Sequence, residues 1–207
     1  MVLFTFLISA LQTAPAITPA TRPAPPPLAR QDDGPTGQAV LSPVVARPFT
    51  CSEHPTGQLP YAGDALGTDC MVLGGVGAEG HGFARLYRGD GNRNEDWFGW
   101  NVDVLAPVEG VVDAVLVNPE INVPGRVGKP PATIVRFKTD DDLLVVYAHL
   151  TAVKVKVGDR VHAGQVVGKV GNNGVSRGPH IHIGAYRGDV PLQIRWDLQA
   201  MARTQGE

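Results

Sequence analysis

From about residue 100 onward, short runs rich in β-branched residues recur along the chain: VLAPVEGVVDAVLV, ATIVRFK, LLVVYAHL, VKVKVGDRV, QVVGKVG and HIHIGAY. Such runs suit a pleated, half-buried surface, and each is bounded by turn-forming residues, here TDDD, VGD, HAGQ and GNNG. The pattern predicts an all-β fold, a compact antiparallel β-sheet domain of barrel-sandwich type with long loops. Asn173-Gly174 predicts a type I′ hairpin turn, whose two central residues both need positive φ, and Asp140 to Asp142 predict another hairpin turn. Helical periodicity is confined to the tail, where Ile194 to Arg203 predict one short helix.

The N-terminal third has a different texture. MVLFTFLISALQTAPA is a short apolar run followed by small residues, the shape of a secretory signal at residues 1–16 with cleavage near Ala14 to Ala16. That run is too short to span a bilayer, so no stable membrane span is expected once it is removed. Residues 17–48 are rich in Pro, Ala and Thr and offer little apolar surface to offset ordering entropy, which predicts a disordered linker. The folded domain is then expected over 49–205.

Composition narrows the function classes. The chain has 207 residues and a formal net charge of -2, so it carries no basic field for nucleic acid. Its two cysteines, Cys51 and Cys70, are in an exported chain most simply a disulfide.

The chemistry begins at PHIHIGAY. His180 and His182 stand two apart in a strand-like run, and side chains at i and i+2 share one face of a strand. Two imidazoles on one face can serve a single metal centre, one binding the ion and the other meeting its water. A second reading of VKVGDRVHAGQVVGKVG, a biotinyl- or lipoyl-type carrier, needs a lysine at the hairpin tip. Here the tip is Gly171 to Gly174, and Lys169 sits in the strand before it.

Taken in order, VLAPVEGVV, VVYAHL, VGDRVHAGQVVGKVGNNG and GPHIHIG resemble the lysostaphin/LytM-like zinc metalloendopeptidases over roughly residues 100 to 190. The resemblance implies a LytM-like domain. It also implies zinc as cofactor, His182 as a zinc ligand, and His149 and His180 as the catalytic histidines that handle the attacking water and the developing charge. The family's other two ligands come from an upstream His-x-Gly-x-Asp segment, from which this chain departs. Ala65-Leu66-Gly67-Thr68-Asp69 keeps Gly-x-Asp but has Ala65 in the histidine's place, whereas Gly99 to Asp103 keeps the aspartate alone. Asp69 is preferred over Asp103 because Gly67 also matches.

A replacement for the absent histidine follows from the cysteines. His54 lies three residues after Cys51, and Asp69 immediately precedes Cys70. A disulfide, with Cα atoms about 5.5 Å apart, would bring the Cys51 segment alongside Asp69. The expected metal set is therefore His54, Asp69 and His182, with His81 in a glycine-flanked loop as the other candidate for the first position. Outside this set, His162 reads as a surface residue. Trp97, Phe98 and Trp100 read as groove lining or as packing beneath a loop, and Asn118 to Gly128 as a long loop beside a groove.

The resemblance implies an exported, periplasmic or extracellular, zinc endopeptidase acting on stem or cross-link peptides of peptidoglycan. The alternative is a catalytically inactive LytM-like domain that binds cell wall or regulates another hydrolase, because the first ligand motif is altered.

Overall fold

The computed structural model describes residues 24–30, 34–75 and 83–206. The proposed signal peptide and His81 lie outside these residues. Among the described residues twelve strands form two sheets, β1 (Gln38–Leu41), β2 (Phe49–Glu53), β3 (Thr68–Val72), β4 (Asp103–Leu105), β5 (Gly110–Leu116), β6 (Ile134–Lys138), β7 (Leu144–Ala148), β8 (Leu150–Thr151), β9 (Arg160–Val161), β10 (Val166–Val170), β11 (Ile181–Arg187) and β12 (Val190–Trp196). The domain is all-β apart from a 3-10 turn at Asn94–Asp96 and one C-terminal helix, α1 (Leu198–Gln205).

The larger sheet runs β1-β12-β11-β7-β6-β5-β9, and the smaller runs β4-β10-β8. β11 is its organising strand. It pairs with β7 along one edge, while β3 and β12 share the other edge, β3 at residues 181–183 and β12 at 185–187. β2 completes this side by pairing with β3. All ladders are antiparallel except β1 with β12. Between the sheets lies one continuous core that includes Val104, Leu150 and Val170 from the small sheet, with Phe137, Tyr147 and Ile183 from the large one.

A smaller apolar cluster of Ala62, Val146 and Tyr186 lies apart from this core, with Ala29 and Leu144 packed against it. Two irregular segments meet there. The turn at 60–64 lies against β11 so closely that a Cβ on Gly184 would overlap the Gly63 carbonyl. The segment 24–30 then bonds to that turn, Ala62 N–H to the Pro27 carbonyl at 2.8 Å and Ala29 N–H to the Pro60 carbonyl at 2.8 Å.

Three expectations need correction. The stretch 17–48 is not a linker throughout: Gln38–Leu41 forms a strand beside β12, and Leu41, Val44 and Val45 are fully buried. The alternation in QAVLSPVV supplies a small apolar face, so folding begins before residue 49. Asn173-Gly174 does not close a hairpin, because β10 and β11 belong to different sheets. Gly174 has positive φ (67°) but Asn173 does not, and the segment carries the chain from one sheet to the other. Finally, Ile194 to Trp196 extend β12, and the helix starts only after Asp197, whose carboxylate accepts from the amides of Gln199 and Ala200.

Candidate metal centre

Register builds the site. Ser52 faces Asp69 across β2 and β3, Asp69 faces His182 across β3 and β11, and His182 faces Ala148 across β11 and β7. Directly opposed residues share a sheet face, so Asp69 and His182 project together. Cys51 and Cys70 are the adjacent opposed pair, and they form a disulfide with Cα atoms 4.1 Å apart. His54, two residues beyond Ser52, continues the face of Ser52, and its amide donates to the Gly67 carbonyl at 2.8 Å. A Cβ on Gly67 would come within 2.7 Å of the Ile183 carbonyl and 3.0 Å of His182 Cε1, so only glycine lets this turn close beside the ring.

The result is a cluster in which one donor atom from each of His54, Asp69 and His182 lies within 4.8 Å of the others. Asp69 Oδ1 is 2.9 Å from His182 Nδ1 and 3.5 Å from His54 Nε2. The His54 ring is tethered at Nδ1 by the Gln58 side chain at 3.3 Å, while its Nε2 is buried with no hydrogen-bond partner. A buried, unpartnered nitrogen aimed at a carboxylate and a second imidazole fits a divalent cation. Two imidazoles and one carboxylate are also a donor set that zinc accepts.

Two further histidines crowd the cluster. His149 directly follows β7 with φ at 67°, in the left-handed region that non-glycine residues seldom occupy, and this reversal sends the chain from the large sheet to β8 in the small one. Its ring centroid lies 4.6 Å from that of His180, tilted by 45°, and 6.3 Å from that of His182, edge-on at 73°. The Nδ1–H of His149 donates to the Asn173 carbonyl at 2.7 Å, and the Nδ1–H of His180 donates to the Gly178 carbonyl at 2.9 Å. Both rings thereby commit Nδ1–H to a carbonyl and turn Nε2 toward the cluster, where His180 Nε2 lies 3.5 Å from Asp69 Oδ1.

The electrostatics differ sharply from ring to ring. Burial, reinforced by the charge of neighbouring His180, lowers the pKa of His149 to about 3. For His182, burial works toward the neutral form, but hydrogen bonds to Asp64 and Asp69 outweigh it and raise the pKa to about 9. Asp69 responds in the opposite sense. Burial favours its neutral acid, yet hydrogen bonds from His180 and His182 hold its carboxyl well below the usual carboxylate range.

Asp64 escaped the sequence reading. Its Oδ1 lies 3.2 Å from His182 Nε2, on the opposite side of the ring from Asp69. No local pattern marks it, since its position depends on the 60–64 turn lying over Gly184. Asp103, the other candidate aspartate, stands at the start of β4 and pairs with Lys169 at 3.0 Å and Lys154 at 3.6 Å. It is not part of the His54, Asp69 and His182 cluster. Of the aromatics, Trp97 bonds the Gly91 carbonyl through Nε1 at 2.9 Å and packs against Gly178, which holds His180. Loop Asn118 to Gly128 ties to the same region through Asn122, whose side chain donates to the Gly174 and Ser176 carbonyls.

Residues 99–194 match the sequence profile of Peptidase family M23. This part of the chain is a family M23 domain. The match includes His149, His180 and His182 and begins after His54, Asp64 and Asp69. The chain is also 56% identical over 36 residues to glycyl-glycine endopeptidase ALE-1 from Staphylococcus capitis, an alignment covering 17% of this chain and 10% of that protein. This chain therefore spans only about a tenth of that relative. Among solved structures, the lysostaphin catalytic domain from Staphylococcus simulans is 18% identical with a TM-score of 0.41, covering 70% of this chain and 88% of that one. A mutant form of the catalytic domain of the prophage-encoded M23 protein EnpA from Enterococcus faecalis is 25% identical with a TM-score of 0.43, covering 75% and 89%. The M23 match thus takes in the histidine pair and His149 but leaves the N-terminal side of the cluster to be argued from geometry.

Proposed function

We propose that this protein is an exported zinc-dependent endopeptidase that hydrolyses peptide bonds in peptidoglycan, with His54, Asp69 and His182 as ligands. The observation that carries the reading is His54 Nε2, a buried nitrogen with no hydrogen-bond partner that lies 3.5 Å from Asp69 Oδ1. His54, just past the end of β2, restores the imidazole that Ala65 withholds. When bound, zinc would supply a Lewis acid for the scissile carbonyl and would acidify a water.

His149 and His180 carry the proton chemistry. A ring whose Nδ1–H is committed to a carbonyl offers Nε2 as a base within reach of a water at the cluster. Burial disfavours the charged form of His149, which leaves its Nε2 lone pair free and also makes it a weaker base than an ordinary histidine. His180, beside Asp69, offers a second Nε2 that orients the attacking water, while the proton taken from that water resides on His149. After the tetrahedral stage the proton passes to the leaving amine nitrogen, which departs neutral.

Export is supported by the apolar stretch at residues 1–16 and by the disulfide, which persists in oxidising compartments. Among the described residues no helix is long and apolar enough to cross a membrane. Peptidoglycan peptides are the substrate class supported by the M23 match and by the relative named for glycyl-glycine cleavage.

One observation favours a second reading. Ala65 stands where a His-x-Gly-x-Asp motif has its histidine, which is a direct route to an inactive wall-binding or regulatory domain. Incubating the zinc-loaded protein with intact sacculi separates the two. Release of new amine termini, abolished by chelator and by His182→Ala, is the enzyme's signature. Sacculus binding with no release at any metal concentration is that of the inactive domain.

A further inference from the structure

We propose that Asp64 is a positioning residue for the metal centre, holding the Nε2–H of His182 so that Nδ1 is the nitrogen presented to the ion. This rests on the zinc reading above and adds to it a residue that the His-x-Gly-x-Asp pattern does not contain.

His182 has carboxylates at both ring nitrogens, Asp69 Oδ1 at 2.9 Å from Nδ1 and Asp64 Oδ1 at 3.2 Å from Nε2. The two nitrogens of an imidazole point away from each other, so one ion cannot use both. Asp69 also lies 3.5 Å from His54 Nε2 and from His180 Nε2, which puts the cluster on the Nδ1 side. Asp64 is alone on the other side. A ring that donates a lone pair at Nδ1 must carry its proton at Nε2, and a carboxylate on that proton fixes both tautomer and ring angle while making the lone pair more basic.

The backbone around Asp64 is built to hold it there. Asp64 and Ala65 amides both return to the Tyr61 carbonyl, at 2.9 and 2.8 Å, and the Gly67 amide donates to the Asp64 carbonyl at 2.9 Å. Glycines at 184 and 67 remove the side chains that would lift this turn off β11. From outside, the segment 24–30 bonds to residues 60 and 62, so the N-terminal strap reaches the metal centre through Asp64. His182 is buried, and without Asp64 its Nε2–H has no partner among the described residues.

The test compares wild type, Asp64→Ala and Asp64→Asn, measuring zinc affinity by competition with a chromogenic chelator and His182 protonation by nitrogen-15 NMR of the imidazole. Wild type should bind one zinc per chain with His182 in the Nε2–H form. Asp64→Ala should bind about 10- to 100-fold more weakly, with an unchanged cobalt(II) absorption band because no ligand is lost. Asp64→Asn keeps an acceptor oxygen and should recover most of the affinity and the same tautomer. A merely structural contact would shift melting temperature in both variants and leave zinc affinity alone.

Zinc affinity of Asp64→Ala within twofold of wild type would overturn the proposal. So would an altered cobalt band, which would make Asp64 a ligand. If Asp64→Ala does not fold, Asp64→Asn decides alone, and metal bound through Nε2 of His182 in that variant or in wild type defeats the positioning role. A wild type that takes up no zinc defeats this proposal and the metal reading together, whereas normal wild-type uptake with no effect of Asp64→Ala defeats this one only.

Discussion

His149 and Asn173 are locked to each other through the peptide. The ring Nδ1–H of His149 donates to the Asn173 carbonyl, and the Asn173 side chain ties both flanking strands, accepting from the Thr133 amide and donating to the Leu150 carbonyl, each at 2.7 Å. The left-handed backbone of His149 and the crossing between the sheets meet at this one asparagine, which is buried. Replacing it leaves two backbone groups without partners inside the protein.

Asn173→Ala is expected to destabilise the fold by about 1–3 kcal/mol, the cost of orphaning buried polar groups. His149→Ala orphans the Asn173 carbonyl and should also cost stability of this order, but it should in addition keep zinc content near wild type and lower kcat by about 10²- to 10⁴-fold, the usual contribution of a positioned general base. Denaturant titration and steady-state kinetics on the two variants separate the supporting residue from the proton acceptor.

Zinc binding should depend on pH in a direction fixed by His182. Its pKa of about 9 in the metal-free site means that the ring is protonated at neutral pH, and an ion must displace that proton from Nδ1. Affinity should therefore rise with pH up to about 9 and level off above it, with proton release on binding seen by calorimetry in buffers of different ionisation enthalpy. The metal-free protein behaves oppositely. A group whose pKa is raised on folding contributes its full stability below the unfolded value, about 6.5 for histidine. That contribution is lost as pH climbs through 9, so the metal-free fold should weaken between neutral and alkaline pH while the zinc-loaded fold does not.

Reduction of Cys51–Cys70 should weaken zinc binding without unfolding the domain. The bond closes a loop with a sequence separation of 19, worth about 3 kcal/mol. The β2–β3 ladder remains after reduction, so the strands stay paired. His54 sits at the end of that ladder and loses its nearest covalent brace. Zinc affinity measured with and without reductant, and on Cys51→Ser, should fall together.

A truncation series tests where the domain begins. Removing residues before 34 leaves the buried trio Leu41, Val44 and Val45 in place, although it deletes the strap against the 60–64 turn. Removing residues before 49 deletes the trio and exposes the edge of β12. Burial of such side chains is worth about 1.5–3 kcal/mol each, so the longer truncation should yield aggregated or unfolded protein and the shorter one a folded domain.

The strands were legible because their residues act locally. LLVVYAHL and HIHIGAY are short apolar runs with β-branched residues, and they became β7 and β11. The proximity of His54 to Asp69 was legible for a different reason: two cysteines turn sequence spacing into a distance. What stayed hidden depends on long-range pairing. β1 pairs in parallel with β12, over 150 residues away in the chain, so a strand inside a proline-rich stretch carried no local signature. Asp64 reaches His182 only because the Gly63 carbonyl fits over Gly184, a close approach that no spacing rule foretells. The asparagine–glycine pair misled because a dipeptide that favours hairpins also suits a crossing in which glycine alone takes positive φ.

The central claim, that His54 supplies the imidazole missing at Ala65, is tested most directly by zinc stoichiometry on purified wild type, His54→Ala and the double variant His54→Ala/Ala65→His. Wild type should carry one zinc per chain, His54→Ala should lose it, and the double variant with histidine at 65 should regain it. Full zinc retention by His54→Ala would contradict it.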